Sequence, residues 1–184
     1  MTDTSTDASG PLGSVTREGQ TVVLTYEREL SHPPEKVWRA ITESEHLREW
    51  FPVDIIGERA TGAPLRLTFW PDALEQAGEE IEAAGMDRED PTLLGEVLTW
   101  EPPRVFEFTW DTERLHFGLT PSERGTTLRV VIRTTEPAPR GYASTAAGYH
   151  MCLDALAASL DGTPANFYDE GSGNPLEKAY AELV

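Results

Sequence analysis

Four histidines and a single cysteine are the side chains of this 184-residue chain best suited to ligate a metal or to pair as nucleophile and base. Their spacing argues against both. His32, His46, His116 and His150 are scattered, and none stands at ligand spacing from another His, an Asp or Cys152. His150 and Cys152 lie two residues apart in a helical stretch, about 200° around it, so they point to different surroundings. Cys152 reads more simply as a small apolar residue. Glu27/Glu29 and Glu79/Glu80 are expected at this acidic composition and read as solvated faces. Glycine-rich phosphate cradles, zinc-type cysteine clusters and a Gly-x-Ser-x-Gly elbow are absent. No catalytic residue, metal or cofactor is called for.

Arg28 and Glu96 carry more information, because each falls within a β-rich run whose neighbours should be partly buried. Two readings stand for them: a structural ion pair or outward-facing charge, and a contact to a ligand. Phe106, Phe108, Trp110, Phe117 and Tyr149, with Leu153, also admit two readings. They form either a packed core or the lining of an apolar cavity with a few polar groups.

The elements that must position these residues follow from periodicity. Ser14 to Arg17 and Thr21 to Leu30 are β-rich runs joined by Glu18-Gly19-Gln20, a hairpin. Pro33-Pro34-Glu35 starts a helix to about Thr42, with Val37, Trp38 and Ile41 on its apolar face, and Glu43 to Trp50 reads as a second, shorter one. Val53 to Glu58 and Leu65 to Trp70 pair across a Gly/Pro turn. Pro71 to Pro91 is an acidic insert, expected to be a mobile loop or a marginal helix. Leu93 to Trp100, Val105 to Trp110, Arg114 to Leu119 and Thr126 to Thr135 alternate as a four-strand antiparallel meander. Phe106, Phe108 and Trp110 share one face of it with Leu115, Phe117 and Leu119 and with Leu128, Val130 and Ile132. Such a face must be covered. The cover is a helix from about Gly141 to Leu160, where Tyr142, Ala146, Tyr149, Leu153, Leu156 and Leu160 make one stripe. Asp161-Gly162 stops it, and a short helix from Leu176 to Leu183 follows. The domain therefore spans 13–162, between a flexible tail at 1–12 and a C-terminal tail at 163–184.

Fifteen Lys+Arg against 32 Asp+Glu give a net charge of −17, which repels phosphate backbones and anionic head groups. Nucleic acid and membrane surfaces are poor partners for such a chain. One cysteine excludes an internal disulfide and fits a reducing compartment. Residues 1–10 lack the basic and apolar parts of a secretory signal, and no apolar run nears the roughly 18 residues of a membrane-spanning helix. The expected location is the cytoplasm.

The order of strand, short helices, meander and long closing helix resembles the helix-grip fold of the SRPBCC, or START-like, superfamily. Particular motifs sharpen the resemblance. Tyr26-Glu-Arg28, Leu30-Ser-His-Pro-Pro-Glu-Lys-Val-Trp-Arg-Ala-Ile-Thr42 and His46-Leu-Arg-Glu-Trp-Phe51 look like the opening signature of bacterial homologues of the activator of the heat-shock chaperone ATPase. Gly95-Glu-Val-Leu-Thr-Trp-Glu-Pro-Pro-Arg104, Glu107-Phe-Thr-Trp110 and Ala147-Gly-Tyr-His-Met-Cys-Leu-Asp-Ala-Leu156 follow in that family's order. The chain departs from the pattern in its longer acidic stretch, Ala73 to Asp90, and in Tyr149, where members commonly carry Trp.

The resemblance implies an α+β helix-grip domain, a curved antiparallel sheet around a long C-terminal helix with a pocket between them. Non-enzymatic binding of a small apolar or amphipathic molecule is the function expected, with Arg28, Glu96, Phe106, Phe108, Trp110, Phe117, Tyr149 and Leu153 as the candidate lining. Two rivals remain open: a chaperone-associated module acting through its outer surface, and a cyclase or hydrolase acting on a hydrophobic substrate.

Overall fold

A computed structural model describes residues 10–76, 87, 89–135, 141–164 and 174–183. Among the described residues, eight strands form one antiparallel sheet. They are β1 (Ser14–Glu18), β2 (Thr21–Leu30), β3 (Val53–Ile56), β4 (Pro64–Phe69), β5 (Thr92–Glu101), β6 (Val105–Trp110), β7 (Glu113–Ser122) and β8 (Gly125–Thr134). Their spatial order is β1-β2-β8-β7-β6-β5-β4-β3, so the long strand β2 inserts beside the last strand and the sheet stays open at β1 and β3. Gly125, at φ +146, permits the close turn into β8, since a Cβ there would meet the Leu30 carbonyl oxygen at 2.5 Å.

The helices among the described residues are α1 (Pro34–Thr42), α2 (Ser44–Leu47), α3 (Pro71–Gln76), α4 (Tyr142–Leu160) and α5 (Pro175–Ala181). Pro34 opens α1 with its φ already set for a helix, Glu35 lies in the first turn, and Val37, Trp38 and Ile41 are buried. The first turn of the acidic insert is thus helical, with Ala73 buried in α3, while 77–86 and 88 of that insert lie outside the described residues.

The concave face of the sheet carries the alternating apolar residues, and α4 covers it. Leu24, Tyr26 and Leu30 of β2, Leu128, Val130 and Ile132 of β8, Leu115, Phe117 and Leu119 of β7 and Phe106 and Phe108 of β6 are all buried. From α4, Ala146, Leu153, Leu156 and Leu160 meet them. This is the curved sheet gripping one long helix that the patterns imply.

A second buried stripe on α4 escapes the single-stripe reading. Ala147, His150 and Ala155 are buried as well, because α5 packs against α4 and sinks Tyr180 completely. A helix covered by sheet on one side and by another helix on the other needs a wider apolar arc than one stripe.

Candidate functional site

The eight residues expected to line a pocket do not form one site. Phe106, Phe108 and Phe117 are packed rings, with centroids 4.7 Å apart for Phe106 and Phe108 and 6.1 Å for Phe108 and Phe117. Trp50 and Trp100 close around them, at 6.3 Å from Phe117 and 5.3 Å from Phe106. Leu153 is buried in the same core. Glu96 is a correction: it alternates outward between Gly95 and Val97, is exposed, and sits on the convex side. The period of two on β5 dictates this once Val97 faces inward.

Arg28 is inward and buried, as its alternation with Tyr26 and Leu30 requires, but its guanidinium is engaged by protein. Nη1 donates to the Pro11 carbonyl at 2.8 Å and to that of Glu27 at 3.1 Å, and Nη2 lies 3.4 Å from Asp154 Oδ1. It borders a half-open recess of about 360 Å³ shared with Gly10, Pro11, Glu27, Glu29 and Asp154. Its Nε is buried without a hydrogen-bond partner, but three carboxylates around this cation make the recess a poor seat for an anion.

That ion pair belongs to a longer network. His150 Nε2 lies 3.2 Å from Asp154 Oδ2, and His150 Nδ1 lies 2.8 Å from the Tyr180 hydroxyl. The same hydroxyl accepts the Gly13 N–H at 2.8 Å, and Asp154 Oδ1 accepts the Gly10 N–H at 3.0 Å. Gly10 and Pro11 are therefore anchored, in contrast to the expected tail at 1–12, whose first nine residues lie outside the described ones. The other histidines also have local partners. His32 pairs with Asp161 at 2.6 Å, His116 lies 3.6 Å from Glu107, and His46 sits among Glu43 and Glu45 in a surface ion-pair group. Burial pushes the Cys152 thiol up to about 12, which leaves it inert as a nucleophile.

Trp110 and Tyr149 remain, and each is tied at the other end of the sheet to Glu113, which lies between the expected strands Val105 to Trp110 and Arg114 to Leu119. Trp110, last in β6, and Glu113, first in β7, face each other across the Asp111-Thr112 turn. Asp111 takes φ +52 to make that turn. Glu113 continues the inward series of Leu115, Phe117 and Leu119 two residues further back, which was the available signal. From α4 the Tyr149 hydroxyl donates to Glu113 Oε2. Burial, with the nearby Asp111 charge, raises the Glu113 carboxyl to about 7, against the lowering effect of the Tyr149 hydrogen bond. The Tyr149 hydroxyl is pushed well above its ordinary value by burial and by Glu113, so it stays a donor.

Trp110 completes the constellation. Its ring packs against Phe51 and Phe69, with centroids 5.5 and 5.9 Å away. Its indole Nε1 is buried and has no hydrogen-bond partner. An unpaired buried N–H costs about 1–3 kcal/mol, so it is an unused donor at the edge of an aromatic wall. One pair of strand partners thus holds a buried N–H without a partner and a carboxyl that exchanges its proton near neutrality.

Comparison with known proteins agrees with the fold. A conserved protein of unknown function from Enterococcus faecalis, EF2215, is similar over 94% of this chain and 92% of its own, at 22% identity and TM-score 0.69. CalU16 from Micromonospora echinospora is similar over 98% of this chain and 97% of its own, at 17% identity and TM-score 0.63. MLL2253 from Mesorhizobium loti covers 77% of this chain with 98% of its own, at 27% identity and TM-score 0.59. A search of curated proteins finds no match. The family model described as Activator of Hsp90 ATPase homolog 1-like protein matches residues 31–161, most of the chain, and this protein belongs to that family.

Proposed function

We propose that this protein binds a small apolar or amphipathic molecule between the sheet and α4, at the end marked by Trp110, Glu113 and Tyr149. The family fold commonly binds hydrophobic ligands, which supports the general reading. The observation that carries the location is the buried, unpartnered indole N–H of Trp110, whose cross-strand partner Glu113 accepts the Tyr149 hydroxyl. Nothing in this reading requires turnover. Titration of the full chain with an environment-sensitive apolar dye tests it: saturable binding that Trp110→Ala weakens is expected, and absence of any binding would overturn it. Native mass spectrometry of freshly purified protein should retain a copurified small molecule.

A chaperone contact through the outer surface is the second reading, favoured by one observation. Ile56 and Leu94, 47% and 71% exposed, flank Arg66 on the convex face, each in register with it. Pull-down of a purified chaperone by wild type but not by Leu94→Asp would favour this reading.

A further inference from the structure

The recess beside Arg28 runs along a strand edge that β1 leaves bare, and what that edge can hold is independent of the small-molecule reading above. We infer that the edge of β2 from Glu27 to Leu30 is a docking groove for an extended basic peptide of a partner protein, which adds to the sheet as a further strand and sets a basic side chain against each of Glu27 and Glu29.

The free edge follows from the register. β1 pairs with β2 only from Thr21 to Thr25, whereas β8 pairs with it on the other side from Val22 to Leu30. The chain ahead of β1 turns away instead: Gly13 donates its N–H to Tyr180 on α5, and Gly10 donates to Asp154 on α4. Four consecutive residues of β2, Glu27 to Leu30, are left lining the recess of about 360 Å³, with Pro11 and Ala157 as apolar flanks.

Backbone direction alternates along a strand, and two close approaches fix its phase here. A Cβ on Gly13 would meet the Thr25 carbonyl oxygen, which points to the β1 side, and one on Gly125 would meet that of Leu30, which points to β8. Glu27 and Glu29 thus turn their N–H and carbonyl groups to the recess. Of these four groups, only the Glu27 carbonyl has a hydrogen-bond partner among the described residues, Arg28 Nη1, and it keeps a second lone pair. Unpaired edge groups of this kind accept a strand.

Charge decides whose strand it is. Glu27 and Glu29 are exposed and two residues apart, so both carboxylates lie on one face of the edge. Thr127, which donates to Glu29, and Arg129, opposite Glu27, stand on β8, on the far side from the groove. Residues directly opposite the two glutamates on an added strand share their face, where opposite charges attract and like charges repel. A second copy brings a net charge of −17 and is repelled. The chain's own residues 1–9 carry Asp3 and Asp7 and no Lys or Arg. The occupant that fits has Lys or Arg at alternate positions of an extended segment.

The experiment titrates the isotopically labelled full chain with the peptide acetyl-Thr-Lys-Val-Lys-Thr-amide and follows backbone amides by NMR. The Glu27 and Glu29 amides should shift saturably, and those of Arg28 and Leu30, which face β8, much less. N-methylation of both lysine backbone nitrogens should weaken binding about tenfold, whereas N-methylation of the central valine, whose N–H points away from the edge, should change it less than about twofold. Exchanging both lysines for glutamate should also weaken it about tenfold. Glu27→Lys together with Glu29→Lys should reverse that preference, a gain that a misfolded variant could not show. Equal affinity of the two N-methylated peptides would overturn strand addition, and equal affinity of the basic and acidic peptides would overturn the basic partner. Binding that appears only after deletion of residues 1–8 would assign the edge to the chain's own N-terminal segment and overturn the partner peptide. No saturable shift at millimolar peptide would overturn the groove while leaving the small-molecule reading untouched.

Discussion

Glu113 is a carboxyl whose environment sets its proton affinity, and its effect on stability has a definite sign. Burial raises it from 4.5 in the ordinary case to about 7 in the folded protein. The folded chain therefore holds this proton to higher pH than the unfolded chain does. The contribution of Glu113 to stability is greatest below about pH 4.5 and declines as pH rises to about 7, by on the order of 3 kcal/mol. Glu113→Gln removes that decline, so urea unfolding should show the variant gaining on wild type between about pH 5 and about pH 8. Parallel pH profiles for the two proteins would contradict the burial of this carboxyl. Tyr149→Phe acts in the opposite sense, because it removes the hydrogen bond that favours the ionised form. In that variant the Glu113 carboxyl resonance should titrate above 7 by NMR.

At the scale of elements, α4 is held from two sides by different forces. Its sheet-facing stripe is apolar, whereas its other face is fastened to the segment before β1, to β2 and to α5 through His150, Asp154, Arg28 and Tyr180. Tyr180 is the joint, since one hydroxyl meets the Gly13 N–H and the His150 ring. Tyr180→Phe takes away the acceptor of the buried Gly13 N–H, and should cost about 1–3 kcal/mol in a denaturant titration. Deleting residues 1–8 spares these bonds and should leave the urea midpoint unchanged. Deleting residues 1–13 removes the Gly10 and Gly13 N–H donors and the Pro11 acceptor, and should lower it clearly. Equal midpoints for the two truncations would mean that the anchoring contributes nothing.

Across the whole molecule, a net charge of −17 on 184 residues makes the folded state repel itself. Added sodium chloride should screen that repulsion and raise the melting temperature, more so at about pH 8 than at about pH 5, where carboxylates begin to neutralise. A salt-independent melting temperature would contradict it. No helix among the described residues is long and apolar enough to cross a membrane. Alternation in the strands from Thr21 to Leu30 and from Val105 to Thr134, together with the spacing of Ala146, Leu153, Leu156 and Leu160, was enough to settle a sheet closed by one helix. Burial follows chain-local periodicity, and periodicity is written in sequence. The same logic was available for Glu113, two residues ahead of Leu115, yet a charged residue beside a turn looks like solvent-exposed surface until something covers it. Only the tertiary structure decided that Tyr149 covers it, that Trp110 lies across from it with an idle N–H, and that Arg28 spends its charge on Asp154 and the Pro11 carbonyl. Those outcomes depend on strand register and on which helix lands where. Both are fixed by contacts between residues far apart in the chain, and no local pattern encodes them.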